Sequence, residues 1–141
     1  MKKTINKKSH RFILLDDDLR ALADAEKVIR KISPRTEIIT FSAAKEAIEY
    51  MDTEDFNRND TDTVLLTDLH MFEIDGFAFM DRMENTFKMM RDRLHVFVLA
   101  AAACPGDIKR VLSYSYVIGL LSKPFSRDKI GQIIDCIQYP L

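Results

Sequence analysis

Several residue types that mark particular protein classes are scarce in this sequence. Its 141 residues include two cysteines, four glycines, four prolines and no tryptophan. Cys104 and Cys136 are too few and too far apart for a disulfide framework or a zinc site, so we interpret both as reduced, incidental thiols. Every apolar run is too short for a secretory signal or a membrane span. We therefore expect a soluble, cytoplasmic protein that makes no contact with a membrane.

The charge balance is close to neutral, at -1. A nucleic-acid interface would need a local excess of Lys and Arg. The only basic cluster lies at the start of the chain and consists of Lys2, Lys3, Lys7, Lys8 and Arg11. We interpret residues 1–10 as a flexible, solvated tail and expect no nucleic-acid partner.

Residues 11–141 have the length of a single domain, and we expect no separate output or catalytic module. Strand patterns near 11–15, 37–41, 63–68, 95–100 and 117–121 alternate with helix patterns. Strict alternation predicts right-handed crossovers and a parallel sheet covered by helices on both faces. The predicted fold class is therefore α/β. One standard solution for five strands is the flavodoxin-like, doubly wound (βα)5 domain with strand order 2-1-3-4-5, which we adopt.

Helix boundaries follow from local signals. Asp17 or Asp18 can cap the first helix, Ser42 the second, and Ser126 or Asp128 the last. The third helix is predicted to run without a break from about 77 to 91, because its apolar residues recur at helical spacing. Those residues are Phe77, Met80, Met83, Phe87 and Met90. Core packing is the preferred interpretation of this methionine-rich face, over an adaptable binding surface.

Charged residues follow three of the predicted strands. Asp16 and Asp17 follow the first strand, Asp68 ends the third, and Lys123 follows the fifth. In the order 2-1-3-4-5 the first and third strands are neighbours, so their carboxylates meet at the edge where parallel sheets bind ligands. The fifth strand lies at an edge of the sheet, so Lys123 has to reach inward.

Such a cluster of carboxylates favours a bound cation. Two carboxylates about 5 Å apart repel by roughly 3 kcal/mol at an effective dielectric near 20. Oxygen ligands at a partly hydrated surface suit Mg²⁺, whose coordination a phosphate can complete. A metal ion, a lysine and a free carboxylate are the parts needed to accept a phosphoryl group as an acyl phosphate. Each residue alone has an ordinary interpretation as a helix cap or a solvated charge.

The pattern resembles the receiver domains of two-component response regulators, which are CheY-like proteins, from residue 12 to about 137. The matching pieces are the acidic pair Asp16–Asp17, the D-x-x-M…D-G segment (Asp68, Met71, Asp75, Gly76) and the run Lys123–Pro124–Phe125. The Lys-Pro bond of this family is often cis, which the resemblance extends to Lys123–Pro124.

The resemblance implies a role for each residue of the cluster. Asp68 would be the phosphoacceptor, and Lys123 would contact the phosphoryl group. Asp16, Asp17, Asp68 and the backbone carbonyl of His70 would hold Mg²⁺. The phosphoryl donor would be a histidine kinase or a histidine phosphotransfer protein, and the downstream protein stays unknown.

Two positions depart from the family pattern. Receiver domains usually carry Ser or Thr at the end of strand four, where this chain has Ala100, and an aromatic residue on strand five, where it has Leu120. A hydrogen bond to a charged group contributes about 1.5–3 kcal/mol. Its loss should weaken the coupling between phosphorylation and loop movement by roughly 10- to 150-fold. A third departure, Phe72 in place of the usual Pro, is tolerable.

We therefore expect a stand-alone receiver in a phosphorelay, phosphorylated on Asp68 in a Mg²⁺-dependent reaction, with weakened or rerouted conformational switching. It would catalyse only its own phosphorylation and dephosphorylation, so it is not a turnover enzyme. The alternative is a receiver-like interaction module that works without phosphorylation. A phosphohydrolase of the haloacid-dehalogenase type is disfavoured, because His70 stands where that chemistry needs a second Asp.

Residues near the predicted site have two interpretations each. His70 could influence water attack on the acyl phosphate or sense pH, or it could be an exposed histidine that contributes only its carbonyl. Tyr114 and Tyr116 could belong to the docking face that this family forms around its fourth helix and fifth strand. Plain surface aromatics are an equally good interpretation.

Overall fold

A computed structural model of the chain describes residues 9–58, 60–71, 76–101 and 105–138. The strands are β1 (Ser9–Leu15), β2 (Glu37–Phe41), β3 (Thr61–Asp68), β4 (Leu94–Ala100) and β5 (Val117–Ser122). The helices are α1 (Leu19–Ile32), α2 (Ala44–Met51), α3 (Gly76–Arg82), α4 (Glu84–Met89), α5 (Pro105–Ser113) and α6 (Arg127–Gln138). Within those four ranges, no helix combines the length and the apolar character that crossing a bilayer requires.

The five strands form one parallel sheet in the order β2-β1-β3-β4-β5, which confirms the predicted fold class and topology. Helices cover both faces. One apolar core lies between the sheet and helices α2 to α5, and a second lies between the sheet and helices α1 and α6. The central strand β3 is buried along nearly its whole length, as its continuous apolar run predicts.

The first helix begins at one of its two predicted capping residues. Asp18 is its N-cap, and the carboxylate accepts hydrogen bonds from the backbone N–H groups of Arg20 and Ala21 at 3.0 and 3.2 Å. Ser33, which precedes Pro34, ends the helix. Because this cap fixes the chain directly after β1, it also fixes the position of the neighbouring Asp16 and Asp17.

Two boundary predictions were wrong. Ser42 does not cap α2, which begins after Ala43, a residue that makes no side-chain capping bond. The third helix is not continuous, because the chain leaves helical geometry at Met83 and splits into α3 and α4. A tertiary contact accounts for the break: the buried hydroxyl of Tyr116 donates to the carbonyl of Met80 at 2.6 Å. In an unbroken helix, the carbonyl of Met80 would accept the backbone N–H of the residue four positions later.

The methionine-rich face packs into the core, as predicted for most of its members. Met80, Met83 and Met90 are buried in the first core together with Phe77 and Phe87. Met89 differs, since it is 81% exposed.

Strand β1 begins at Ser9, so the last two residues of the predicted tail belong to the sheet. Lys2, Lys3, Lys7 and Lys8 lie outside the described residues. Arg11 is fully buried, whereas we had grouped it with a solvated basic cluster. Burying a guanidinium costs free energy unless its N–H groups find acceptors. The hydrogen-bond partners of Arg11 therefore decide whether its burial is tolerated.

The acceptors of Arg11 come from β3, from the last turn of α2 and from the segment after α2. Its guanidinium donates to the hydroxyl of Thr63 at 2.7 Å, to the hydroxyl of Tyr50 at 2.9 Å and to the carbonyl of Asp55 at 2.8 Å. It also bonds to the carbonyl of Phe56 and lies 5.3 Å from the centre of that ring. These bonds hold the polar connection between α2 and β3 against the sheet.

Replacing Arg11 with Met should lower the free energy of unfolding by about 2–4 kcal/mol, because several buried acceptors lose their donor. Urea unfolding followed by circular dichroism measures this change. The matched control is Arg58→Met, since Arg58 makes exposed ion pairs with Glu37 and Asp55 and an exposed hydrogen bond to the Asp55 carbonyl, and should contribute less than about 1 kcal/mol. Equal losses in the two variants would contradict a special role for Arg11.

Candidate functional site

The structure brings three carboxylates together at the carboxyl ends of β1 and β3. Leu15 pairs with Thr67 in the parallel register. Asp16 and Asp68 therefore lie at the ends of neighbouring strands, on the carboxyl-terminal side of the sheet. One oxygen from each of Asp16, Asp17 and Asp68 lies within 4.8 Å of the others. Asp16 and Asp68 are buried, and Asp17 is half-buried. Hence the predicted juxtaposition of the carboxylates is present.

Lys123 reaches this cluster from the edge of the sheet. Its Nζ lies 2.8 Å from Oδ2 of Asp16 and 3.2 Å from Oδ1 of Asp68, although β4 separates β5 from β3. The backbone positions it, since the Lys123 N–H donates to the carbonyl of Ala100 at 2.9 Å. The Lys123–Pro124 peptide bond is cis, as the resemblance implies. A single ammonium group therefore bridges both buried carboxylates.

Opposing effects act on the ionisation of the site. Burial and the negative charge of Asp16 raise the pKa of Asp68, although Lys123 and a backbone hydrogen bond from His70 oppose them. Burial by itself would lower the pKa of the Lys123 ammonium, but its hydrogen bond to Asp16 and the nearby carboxylates raise it overall. Three carboxylates facing one ammonium leave an excess of negative charge, which a further cation would neutralise.

The donor atoms of the cluster fit a magnesium ion. All of the side-chain donors are carboxylate oxygens, which are the ligands that Mg²⁺ prefers. Each pair of carboxylates at this separation repels by roughly 3 kcal/mol at an effective dielectric near 20, so a divalent ion would relieve a real cost. The Oδ1 atom of Asp16 already accepts a bond from the Asp18 N–H at 2.9 Å, which holds this carboxylate in place.

The imidazole of His70 extends toward α5. The side chain is 60% exposed, and its Nε2 atom lies 3.9 Å from Oδ2 of Asp107 near the start of α5. This contact was not predicted, because residues so far apart in sequence gave no signal of their proximity. The carbonyl of His70 remains a predicted metal ligand.

The two departures at the switch positions are apolar and pack in the first core. Ala100 is buried at the end of β4, and Leu120 of β5 is half-buried against the same core. Ala101 is exposed, and residues 102–104 lie outside the described ranges. At positions 100 and 120 the side chains therefore offer no hydrogen-bonding group to a ligand at Asp68.

A cavity adjoins the acidic cluster, and sequence reasoning missed it. It has a volume of about 370 Å³ and lies between α1 and the segment that follows β5. Leu22 and Ala25 of α1 form one wall, Phe125 lies opposite, and Asp16 and Lys123 line its edge. No local pattern could have revealed this space, because its walls come from distant parts of the chain.

The glycine that begins α3 lies against Leu69, the residue that follows β3. The Gly76 N–H donates to the carbonyl of Leu69 at 2.7 Å, and the Leu69 N–H donates to the carbonyl of Leu99 at 2.9 Å. A Cβ at position 76 would lie 2.5 Å from the Leu69 carbonyl oxygen. Only glycine allows this close approach. The neighbouring Asp75, part of the motif, lies outside the described residues.

Comparisons with known proteins agree with this fold. A family model described as the response regulator receiver domain matches residues 12–135. A two-component response regulator from Cytophaga hutchinsonii has a TM-score of 0.82 at 20% identity, covering 94% of this chain and 98% of its own. For a response regulator receiver protein from Dyadobacter fermentans the TM-score is 0.78 at 28% identity, with coverage of 90% and 96%. No curated protein matches the sequence.

Replacing Gly76 with Ala should destabilise the protein by about 1–3 kcal/mol, because the backbone of Leu69 has to move. The control is Gly131→Ala in α6, where an added Cβ meets nothing within 4 Å. That control should stabilise the protein by about 0.5–1 kcal/mol, the usual gain from removing a helical glycine. Urea unfolding midpoints compare the two variants, and equal shifts of the same sign would contradict the close approach.

Proposed function

Because this chain belongs to the family of response regulator receiver domains, we propose that it accepts a phosphoryl group on Asp68. The donor in this proposal is a histidine kinase or a histidine phosphotransfer protein, in a cytoplasmic phosphorelay. The observation that carries the proposal is the position of the buried Asp68 carboxylate, 3.2 Å from the Lys123 ammonium and close to the carboxylates of Asp16 and Asp17.

The proposed reaction forms one bond and breaks one. A carboxylate oxygen of Asp68 attacks the phosphorus of a phosphohistidine on the partner protein. The phosphorus–nitrogen bond breaks, its electron pair returns to the imidazole nitrogen, and an acyl phosphate forms on Asp68. Burial raises the pKa of Asp68, and the ammonium of Lys123 helps to keep this carboxylate ionised for the attack.

The metal ligands in this proposal are the carboxylates of Asp16, Asp17 and Asp68 together with the carbonyl of His70. A bound Mg²⁺ would supply positive charge next to the phosphoryl oxygens. Lys123 supplies a second positive charge, because its Nζ contacts both Asp16 and Asp68. Asp18 supports the arrangement by donating its backbone N–H to Asp16.

Readout of the phosphorylated state is expected to differ from that of a typical receiver. Transfer needs an acceptor, positive charge and positioning, which the described residues can supply. Switching also needs an element with two positions that the phosphoryl group biases. Since Ala100 and Leu120 carry no polar group, they cannot provide the usual hydrogen-bonding partner, and the conformational response is weakened or takes another route.

The second candidate is a receiver-like interaction module that works without phosphorylation. The apolar side chains at positions 100 and 120 favour it, whereas the presence of Lys123 beside the buried carboxylates opposes it. The retained triad of carboxylates favours the phosphoacceptor instead, since an interaction module has no need to bury two carboxylates side by side.

Incubation with acetyl phosphate and Mg²⁺ should add one phosphoryl group, detected by intact mass, and Asp68→Asn should abolish the addition. Chelation of Mg²⁺, or Asp17→Asn, should slow it by at least about tenfold, because the positive charge near the phosphoryl oxygens is lost. Asp135→Asn, which changes an exposed carboxylate of α6, is the matched control and should react normally.

Two results would contradict the phosphoacceptor. One is the absence of any mass gain in the wild-type protein together with no binding of Mg²⁺. The other is an unchanged mass gain in the Asp68→Asn protein. The first would favour the interaction module.

Replacing Ala100 with Thr should strengthen the coupling between phosphorylation and conformation by roughly 10- to 150-fold, because it restores a hydroxyl beside Asp68. Amide chemical shifts of β5 and α5, compared before and after phosphorylation, measure this coupling. Ala100→Val has the shape of Thr without the hydroxyl and is the control. Equal shift changes in the Thr and Val variants would show that the hydroxyl is not the missing part.

A further inference from the structure

Four side chains connect α3 to α5 and to the residue that follows α5. The guanidinium carbon of Arg110 lies 4.1 Å from the ring centre of Phe77, and its Nη2 lies 3.5 Å from Oδ2 of Asp81. The hydroxyl of Tyr114 donates to Oδ1 of Asp81 at 2.7 Å. Both carboxylate oxygens of Asp81 therefore contact groups from the α5 side. We call these four residues the α3–α5 clamp.

The clamp is connected to the acceptor strand through the backbone. Leu69 follows Asp68 directly, and its carbonyl accepts the N–H of Gly76, the residue before Phe77. The space between Leu69 and Gly76 is too small for a Cβ, so neither can move far without moving the other. A displacement of the chain at Asp68 is therefore transmitted to the start of α3.

Strands β4 and β5 contact the site through the backbone and through Lys123, but not through the side chains at positions 100 and 120. Ala100 and Leu120 pack as apolar residues and cannot bond to a phosphoryl group. The N-terminal end of α5, by contrast, has a second link to the acceptor strand, because His70 lies 3.9 Å from Asp107. Both ends of α5 thus face residues that follow β3.

The ion pair of the clamp is weak enough to rearrange. Asp81 and Arg110 are each about half exposed, at 55% and 54%, so solvent weakens their ion pair. The neighbouring anchor differs, since Tyr116 is buried and its hydroxyl bonds to the carbonyl of Met80 at 2.6 Å. The residue before β5 is therefore held firmly against α3, while the polar contact between α3 and α5 is weaker and more exposed.

We propose that phosphorylation of Asp68 is transmitted to α5 through the hydrogen bond between Leu69 and Gly76 and the α3–α5 clamp, in place of a hydroxyl and an aromatic residue at positions 100 and 120. The added phosphoryl group displaces the chain at Asp68 and Leu69, and Gly76 carries the displacement to Phe77. The contacts of Arg110 with Phe77 and Asp81 then move α5. This inference deepens the proposed function and rests on it.

The test compares Arg110→Ala with Lys109→Ala, which removes an exposed charge from the adjacent position of the same helix. Each protein is phosphorylated with acetyl phosphate and Mg²⁺, and intact mass and amide chemical shifts are recorded together. We expect normal mass gain in both variants. The shift change over α5 should fall at least about twofold in Arg110→Ala and stay at the wild-type value in Lys109→Ala.

A milder variant keeps the test independent of any loss of folding. Tyr114→Phe removes only the hydroxyl that bonds to Asp81, and it should also reduce the α5 response while leaving the mass gain intact. Normal mass gain with undiminished α5 shifts in both Arg110→Ala and Tyr114→Phe would overturn the inference and leave the proposed function standing. Absence of mass gain in the wild-type protein would overturn both.

Discussion

The site depends on two carboxylates buried side by side at the ends of neighbouring strands. Asp16 and Asp68 are each less than a tenth exposed, and like charges at this distance repel unless a cation lies between them. Lys123 provides that cation from the far edge of the sheet. The need for this cation explains why the ends of three separate strands converge. Because three carboxylates face a single ammonium group, an excess of negative charge remains, and it fits a divalent ion.

The proposed chemistry and the proposed readout have separate structural supports in this receiver domain. The acceptor side uses the ends of β1, β3 and β5, where the charged residues are retained. The response side would ordinarily use the end of β4, where Ala100 is buried and apolar. The contacts of α3 with α5 provide another route from the end of β3 to α5. A protein of this kind can keep phosphoryl transfer while its conformational response follows a different path.

Much of the fold and the site could be predicted because the signals are local. The apolar run before Asp68, the acidic residues after β1 and the capping residue Asp18 each act within a few residues of chain. The failures involve distant partners. Ser42 has the right chemistry for a cap that the structure does not use, and the helix predicted over 77–91 breaks where Tyr116 takes the carbonyl of Met80.

The sequence alone determined the alternation of strands and helices and the strand ends that carry charge, and the observed sheet order is one of the standard solutions for that alternation. Periodicity and turn chemistry encode these features locally. Only the tertiary structure decided that Arg11 is buried among acceptors rather than solvated, and that Lys123 reaches both carboxylates. It also decided that Arg110 meets Phe77 and Asp81. These contacts join residues far apart in the chain, and packing, not local propensity, selects them.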